Sequence, residues 1–148
     1  MPNSDEPPFR LKGLSLWIRG YEFPYADSFY DANWLRVRAV LATSSFHLAA
    51  EGYFLQNLDL QRFSAELEYL YRDLKGTATL ASTEPNLQVE LTGDGLGHIG
   101  MRVSLTPDHL TETHTVAFNL DQTLLQHAIK QLRGIETAFP VRGKRPGS

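Results

Sequence analysis

Apolar and polar residues alternate with a period of two in several short segments of the chain, which is typical of strands that bury one face. In the first three segments the apolar positions are Leu14, Leu16 and Ile18, then Leu35, Val37, Ala39 and Leu41, then Phe46, Leu48 and Ala50. Four more alternating segments lie around 78–80, 87–91, 99–105 and 116–120. The pattern therefore predicts about seven strands, most of them joined by short loops.

The period changes to three and four residues in two longer segments, which indicates two amphipathic helices. The first apolar stripe contains Leu60, Phe63, Leu67, Leu70, Tyr71 and Leu74, and the second contains Leu124, Leu125, Ala128, Ile129, Leu132, Ile135 and Phe139. Asp59 and Asp121 are predicted N-caps, because a carboxylate accepts hydrogen bonds from the free amide groups of a first turn. Gly76 and Pro140 are predicted to end the two helices.

The order of these elements, βββαββββα, predicts an α+β fold. We expect a mostly antiparallel sheet of about seven strands with the two amphipathic helices packed on one face. A two-sheet sandwich with flanking helices is the alternative. Residues 1–8 are predicted to be disordered, 9–140 to form a single α+β domain, and 141–148 to be a flexible basic tail.

The composition restricts the class of protein. With 42% hydrophobic and 11% aromatic residues, the chain has enough apolar side chains for the core of one domain. It has no cysteine, which excludes disulfides and thiol catalysis and is compatible with a reducing cytosol. No apolar run approaches the ~20 residues of a membrane span, and the polar start of the chain does not resemble a secretory signal. We therefore expect a soluble, cytoplasmic protein with no membrane partner.

The net charge of −3 argues against direct binding of nucleic acid, since contacts with phosphates need clustered lysine and arginine. Arg142, Lys144 and Arg145 lie in the predicted tail, so the body of the chain is more acidic than the whole. An acidic body is compatible with a basic protein partner, although ordinary solubility also explains it.

Motifs for known chemistries are weak. Residues 95–100, GLGHIG, match the dinucleotide-binding pattern, but a strand and not a helix follows them, so a hairpin turn at Asp94-Gly95 is the better interpretation. The five histidines lack the spacing of a metal site. No serine follows a nucleophile-elbow pattern, and Asp27 and Asp31 share a loop whose spacing does not define a catalytic pair. We therefore expect no catalytic, cofactor-binding or metal-binding residues.

The most distinctive stretch is 21–34, YEFPYADSFYDANW, which lies between two predicted strands and is far longer than a tight hairpin turn. It holds six aromatic and three acidic residues, with no lysine or arginine. The aromatic side chains fill the sheet edge, form a recognition surface, or do both. Aromatic side chains surrounded by acidic ones are typical of a protein interface. From this loop we predict the partner-binding residues Tyr21, Tyr25, Asp27, Asp31 and Trp34.

Several short motifs together resemble the WapI family of bacterial immunity proteins, many of which are described only as uncharacterised proteins. The motifs are Gly20-Tyr21-Glu22, Asp31-Ala32-Asn33-Trp34-Leu35, Leu70-Tyr71 with Leu74-Lys75-Gly76, Leu91-Thr92-Gly93-Asp94-Gly95-Leu96-Gly97-His98-Ile99, Leu120-Asp121-Gln122-Thr123 with Leu125, and Phe139-Pro140. The resemblance extends over residues 9–140, nearly the whole chain. It implies a small cytoplasmic protein that neutralises a cognate toxin domain by stoichiometric binding, without catalysis.

Two functions from different classes follow. The first is an immunity protein that binds a cognate protein toxin, with the loop 21–34 as its binding surface and no cofactor. The alternative is a small-molecule-binding protein or enzyme with a pocket near this loop. A deep cavity with converging titratable groups would favour the alternative, and an exposed surface patch would favour the first. A third option, a subunit of a larger assembly, requires a large exposed apolar patch.

Overall fold

The computed structural model describes residues 6–108 and 110–144. Its strands are β1 (Phe9–Leu11), β2 (Leu14–Tyr21), β3 (Trp34–Ala42), β4 (His47–Gln56), β5 (Lys75–Ala81), β6 (Leu87–Asp94), β7 (His98–Leu105) and β8 (Thr115–Asp121). Its helices are α1 (Phe29–Ala32), α2 (Asn57–Asp73) and α3 (Thr123–Ala138). The predicted α+β class is therefore confirmed. Residues 1–5 of the predicted disordered start and 145–148 of the predicted tail lie outside the described residues.

The strands form two antiparallel sheets of four strands each, in the orders β1-β2-β3-β4 and β5-β6-β7-β8. Each sheet follows the order of the chain, and each is followed by a long helix, α2 after the first and α3 after the second. The predicted single sheet of about seven strands is matched only roughly, since the strands divide between two sheets. The division falls at α2, which separates β4 from β5 along the chain and so prevents a short hairpin between them.

One continuous cluster of buried apolar side chains connects the two sheets with α2 and α3. In β6 and β7 buried and exposed positions alternate almost without exception, as the period-two pattern predicts. α2 packs on β5 and on α3, and α3 also contacts β1. The apolar stripes of the two helices thus join both sheets into one core. Each fully buried large apolar side chain in it contributes roughly 2 kcal/mol to stability.

The structure contains two short elements that the sequence analysis did not predict, β1 and α1. β1 has three residues and α1 has four, so neither is long enough to show a hydrophobic period. β1 pairs with β2 through a turn at Lys12 and Gly13. A Cβ at Gly13 would lie 2.1 Å from the carbonyl oxygen of Ala42, so this close approach of two backbones requires glycine.

The helix ends differ from the sequence interpretation in detail. The N-cap of α2 is Gln56 and not Asp59, whose carboxylate instead reaches back to accept a hydrogen bond of 2.9 Å from the Gln56 amide. The N-cap of α3 is Gln122, one residue after Asp121. Leu74, with φ of 60° in the left-handed region, is the C-cap of α2, two residues before the predicted end at Gly76. The predicted end of α3 before Pro140 is confirmed.

The glycine-rich segment after β6 is a hairpin turn, as predicted. It joins β6 to β7, and Gly95 and Gly97 have positive φ angles of 88° and 101°. The Asp94 carboxylate accepts hydrogen bonds from the amides of Leu96 and His98 and so fixes the turn. Since a strand and no helix follows, the segment lacks the helix N-terminus that a bound pyrophosphate requires.

Candidate functional site

The loop 21–34 leaves the first sheet at the end of β2 and returns at the start of β3. A hydrogen bond of 2.9 Å from the Glu22 amide to the Trp34 carbonyl oxygen joins its two ends. Between them lies α1, whose first turn is capped by Ser28: the Tyr30 amide donates to its Oγ at 3.3 Å. The loop therefore has backbone structure of its own.

Residues 141–144 run alongside this loop and bond to its backbone. The Lys144 amide donates to the Asp27 carbonyl oxygen at 2.9 Å, and the Lys144 carbonyl oxygen accepts from the Phe29 amide at 3.1 Å. Gly143 has a φ of +92°, and a Cβ there would lie 2.9 Å from the Phe29 backbone, so glycine is required. The end of the described chain is thus part of the same structure as the loop.

The Arg142 side chain is the main polar link between the two segments. Its guanidinium donates to the carbonyl oxygens of Phe23, Pro24 and Ala32 at 2.7, 2.6 and 2.8 Å. The same group lies 3.7 Å from the ring centroid of Tyr21, which is a cation–π contact. One planar fork of five N–H donors can satisfy several carbonyl oxygens at once, which lysine cannot do in the same geometry.

Two buried asparagines extend this link to α2 and to the end of α3. Nδ2 of the fully buried Asn33 donates to the carbonyl oxygens of Phe29 and Arg142 at 3.0 and 2.9 Å. Its Oδ1 accepts from the Arg142 amide at 2.9 Å and from Nδ2 of Asn57 at 3.1 Å. Asn57 also donates to the Phe139 carbonyl oxygen at 3.2 Å. A buried network of this kind holds one geometry, because breaking it would leave polar groups without partners.

Supported by this framework, the loop forms an open pocket of about 440 Å³. It is lined by Glu22, Phe23, Pro24, Tyr25, Ala26 and Asp31. Tyr25 is 96% exposed and Phe23 is 45% exposed, which is unusual for aromatic side chains of this size. Burial, and to a lesser extent the nearby charge of Asp31, raises the pKa of the Glu22 carboxyl. The pocket therefore combines aromatic surface with two carboxylates at one opening.

The residues predicted from the sequence to bind a partner divide into three groups. Tyr25 and Asp31 line the pocket and are exposed. Asp27 is exposed but outside the pocket lining, and its carbonyl oxygen is bound by the described end of the chain. Tyr21 and Trp34 are half-buried and lie at the ends of the two strands that flank the loop.

Tyr21 belongs to the framework beneath the pocket. Its hydroxyl donates to the Pro140 carbonyl oxygen at 2.6 Å, and its ring packs edge-on against Phe139 at a centroid distance of 5.6 Å. Burial raises the pKa of the Tyr21 hydroxyl, against the opposing effect of the Arg142 charge. Its surface is therefore largely used within the molecule.

The sequence interpretation did not select four residues of the pocket lining, although all belong to the loop: Glu22, Phe23, Pro24 and Ala26. Their position next to Tyr25 was the available signal. For Arg142 there was none, because hydrogen bonds to backbone carbonyl oxygens leave no spacing or periodicity in a sequence. Asn33 lay in the same loop, but its hydrogen bonds had no such signal either.

A second cavity, of about 570 Å³, lies in a groove between α2 and α3. It is lined by Glu68, Tyr71, Arg72, Gln126, Ile129, Lys130 and Arg133. Glu68 and Arg133 form an ion pair across it. Within residues 6–108 and 110–144, no three histidine, aspartate or glutamate side chains come close enough to hold a metal ion. No helix in the described part of the chain is long and apolar enough to span a membrane.

Comparisons with other proteins give one structural and one family match. The solved structure of the plant transcriptional regulator PBF-2 is similar with a TM-score of 0.46 and 11% identity, over 85% of this chain and 75% of that chain. No curated protein sequence matches the chain. Residues 10–140 match the family described as "Immunity protein WapI-like family", which suggests an immunity function. The chain therefore belongs to the WapI-like immunity protein family.

Proposed function

We propose that this protein neutralises a cognate bacterial toxin domain by stoichiometric binding, and that the pocket of the loop 21–34 lies at the centre of the interface. The observation that supports this proposal is the exposed, largely apolar pocket with Tyr25 at its rim. Aromatic side chains at the centre of an interface commonly provide most of its binding energy. The partner would be a protein. This protein would inhibit it by binding alone, without catalysing a reaction.

The framework beneath the pocket favours tight binding. Arg142 and Asn33 fix the loop through hydrogen bonds that exist before any partner arrives. A loop that is already ordered loses little conformational entropy on association, so more of the contact energy appears as affinity. This arrangement is what an inhibitor that must outcompete a toxin's substrate requires.

Charge and composition agree with this role. A net charge of −3 at neutral pH would speed association with a basic toxin domain. The absence of cysteine from all 148 residues is compatible with the reducing bacterial cytoplasm, where we place the action of the protein.

The test takes the protein encoded by the neighbouring gene as the candidate toxin. We expect the two proteins to co-purify and an equimolar amount of this protein to abolish toxin activity. Replacing Tyr25 by alanine should weaken binding by at least about tenfold, the usual effect of removing a central aromatic side chain. Because Tyr25 is 96% exposed, the free energy of unfolding should not change.

Tyr69→Ala is the matched control, since Tyr69 is a tyrosine that is 64% exposed on α2, outside the pocket lining. It should bind the toxin like the wild type. Toxin activity that persists at equimolar ratio would refute the proposed function. Equal losses in the two tyrosine variants would refute the assignment of the interface to the loop.

A second candidate, binding of a small molecule, is favoured by one observation: the pocket has a volume of about 440 Å³ and contains a carboxyl with a raised pKa. Such a volume suits a small ligand. It would be supported if a low-molecular-weight compound from the cytoplasm remained bound to the purified protein and were released by the Tyr25→Ala change.

A further inference from the structure

The pocket has a chemical character that specifies its occupant more closely than "a toxin". Phe23 and Pro24 supply apolar wall, and Tyr25 supplies an almost fully exposed ring. Among the described residues, Glu22 and Asp31 supply the only charges of its lining. The two carboxylates are close enough for the charge of Asp31 to raise the pKa of Glu22. The lining therefore carries uncompensated negative charge beside aromatic surface.

The described residues do not neutralise this charge. None of those that line the pocket is basic. Within the described residues, neither Glu22 nor Asp31 takes part in an ion pair, and the ion pairs that exist lie elsewhere. The nearby guanidinium of Arg142 is already directed to backbone carbonyl oxygens and to the ring of Tyr21.

We infer that this pocket receives the side chain of one arginine of the toxin, with its guanidinium between Glu22 and Asp31 and against the ring of Tyr25. This inference rests on the proposed function, because it names the group of the toxin that the loop recognises. The aliphatic part of the arginine would cover Phe23 and Pro24, which are the apolar wall.

Arginine suits this lining better than the other cationic side chain. Its planar group can donate to two carboxylates at the same time and also stack on an aromatic ring. It is more weakly hydrated than the ammonium of lysine, so it loses less on entering a pocket that is mostly apolar. An anionic occupant is excluded by the charge of the lining.

The pocket is formed before the ligand arrives, so a free arginine derivative is a valid probe. The experiment titrates isotopically labelled full-length protein with N-acetyl-arginine amide and follows the amide and carboxyl resonances of the loop by nuclear magnetic resonance. N-acetyl-citrulline amide, a neutral molecule of nearly the same shape, and N-acetyl-lysine amide are the matched probes. We expect saturable shifts confined to the pocket with the arginine derivative, with a dissociation constant on the order of millimolar, as befits so small a ligand.

The double variant Glu22→Gln/Asp31→Asn should weaken binding of the arginine probe by about tenfold or more, because charge-assisted hydrogen bonds to both carboxylates are lost. The control double variant, Asp73→Asn/Glu84→Gln, removes two exposed carboxylates outside the pocket and should bind like the wild type. The same two double variants are then compared for binding of the toxin, where the same ratio is expected.

The outcomes separate the inference from the proposed function. Equal shifts with arginine, lysine and citrulline derivatives, or none with any, would overturn the arginine assignment. If the toxin binds the wild type and the Glu22→Gln/Asp31→Asn variant equally, the arginine assignment falls while the proposed function stands. If the arginine probe binds as expected but no toxin does, the proposed function falls, and the assignment of this arginine to a toxin falls with it.

Discussion

The guanidinium of Arg142 reaches three carbonyl oxygens of the loop and the ring of Tyr21, so a single side chain holds much of the site together. Arg142→Ala would leave these oxygens without their donor. We expect the free energy of unfolding, measured by urea denaturation, to fall by about 2 kcal/mol, since hydrogen bonds that involve a charged group contribute 1.5–3 kcal/mol. Hydrogen exchange of the loop amides should also become faster, because the loop would open more often.

Lys144→Ala is the control for Arg142→Ala, since it removes the same charge from the same segment. Lys144 contacts the loop through its backbone amide and carbonyl groups, which alanine retains. Its unfolding free energy should stay within about 0.5 kcal/mol of the wild type. Similar losses in both variants would show that net charge, and not the guanidinium fork, stabilises the loop.

Asn33 tests the buried part of the same network. Asn33→Asp keeps the shape of the side chain but replaces the two donors of Nδ2 by an acceptor that faces the carbonyl oxygens of Phe29 and Arg142. We expect a loss of about 3 kcal/mol in unfolding free energy, because buried polar groups lose their partners and a charge is buried. Asn119→Asp makes the same change at an exposed position and should cost less than about 0.5 kcal/mol. A loss below 1 kcal/mol for Asn33→Asp would contradict the network.

At the scale of elements, the start of α2 depends on Asp59. Its carboxylate accepts hydrogen bonds from the Gln56 amide and from both the amide and the hydroxyl of Thr83, at 2.9, 3.2 and 2.9 Å. Asp59→Ala should lower the unfolding free energy by about 2 kcal/mol, at the upper end of the range for a helix cap, since a link to the strand connection is lost as well. Asp73→Ala, at the exposed end of the same helix, should be neutral or slightly stabilising, because an acid is unfavourable there. Chemical denaturation of both variants checks this, and equal losses would contradict it.

The elements show which structural features the sequence contains. Strands and long helices were predictable because each buries one face and so repeats its own period, as the alternation of β6 and β7 demonstrates. The pairing of strands was not predictable, because alternation shows which face of a strand is buried and not which strand lies beside it. The alternation therefore did not reveal the division into two sheets. The exposed pocket residue Tyr25 lay in the predicted loop. The contacts of Arg142 and Asn33 were out of reach, since they join segments more than a hundred residues apart through backbone oxygens.

At the scale of the whole molecule, the chain consists of two successive units, each with four antiparallel strands and a following long helix. They do not have separate cores, because one buried cluster includes side chains of both sheets and both long helices. α3 follows the second sheet but contacts β1 of the first, and α2 follows the first sheet but packs on β5 of the second. Each helix thus connects one sheet to the other, which couples the stability of the pocket to that of the entire fold.

This arrangement predicts that the two units unfold together. Both tryptophans, Trp17 and Trp34, belong to the first sheet, so their fluorescence reports on that half, whereas far-ultraviolet circular dichroism reports on all strands and helices. In urea the two signals should give the same midpoint within error, as a two-state transition requires. Leu132→Ala, a cavity in the shared core, should shift both midpoints equally through a loss of about 3 kcal/mol. A fluorescence transition that precedes the dichroism transition would show that the first sheet, and with it the loop that carries the proposed interface, unfolds as an independent unit.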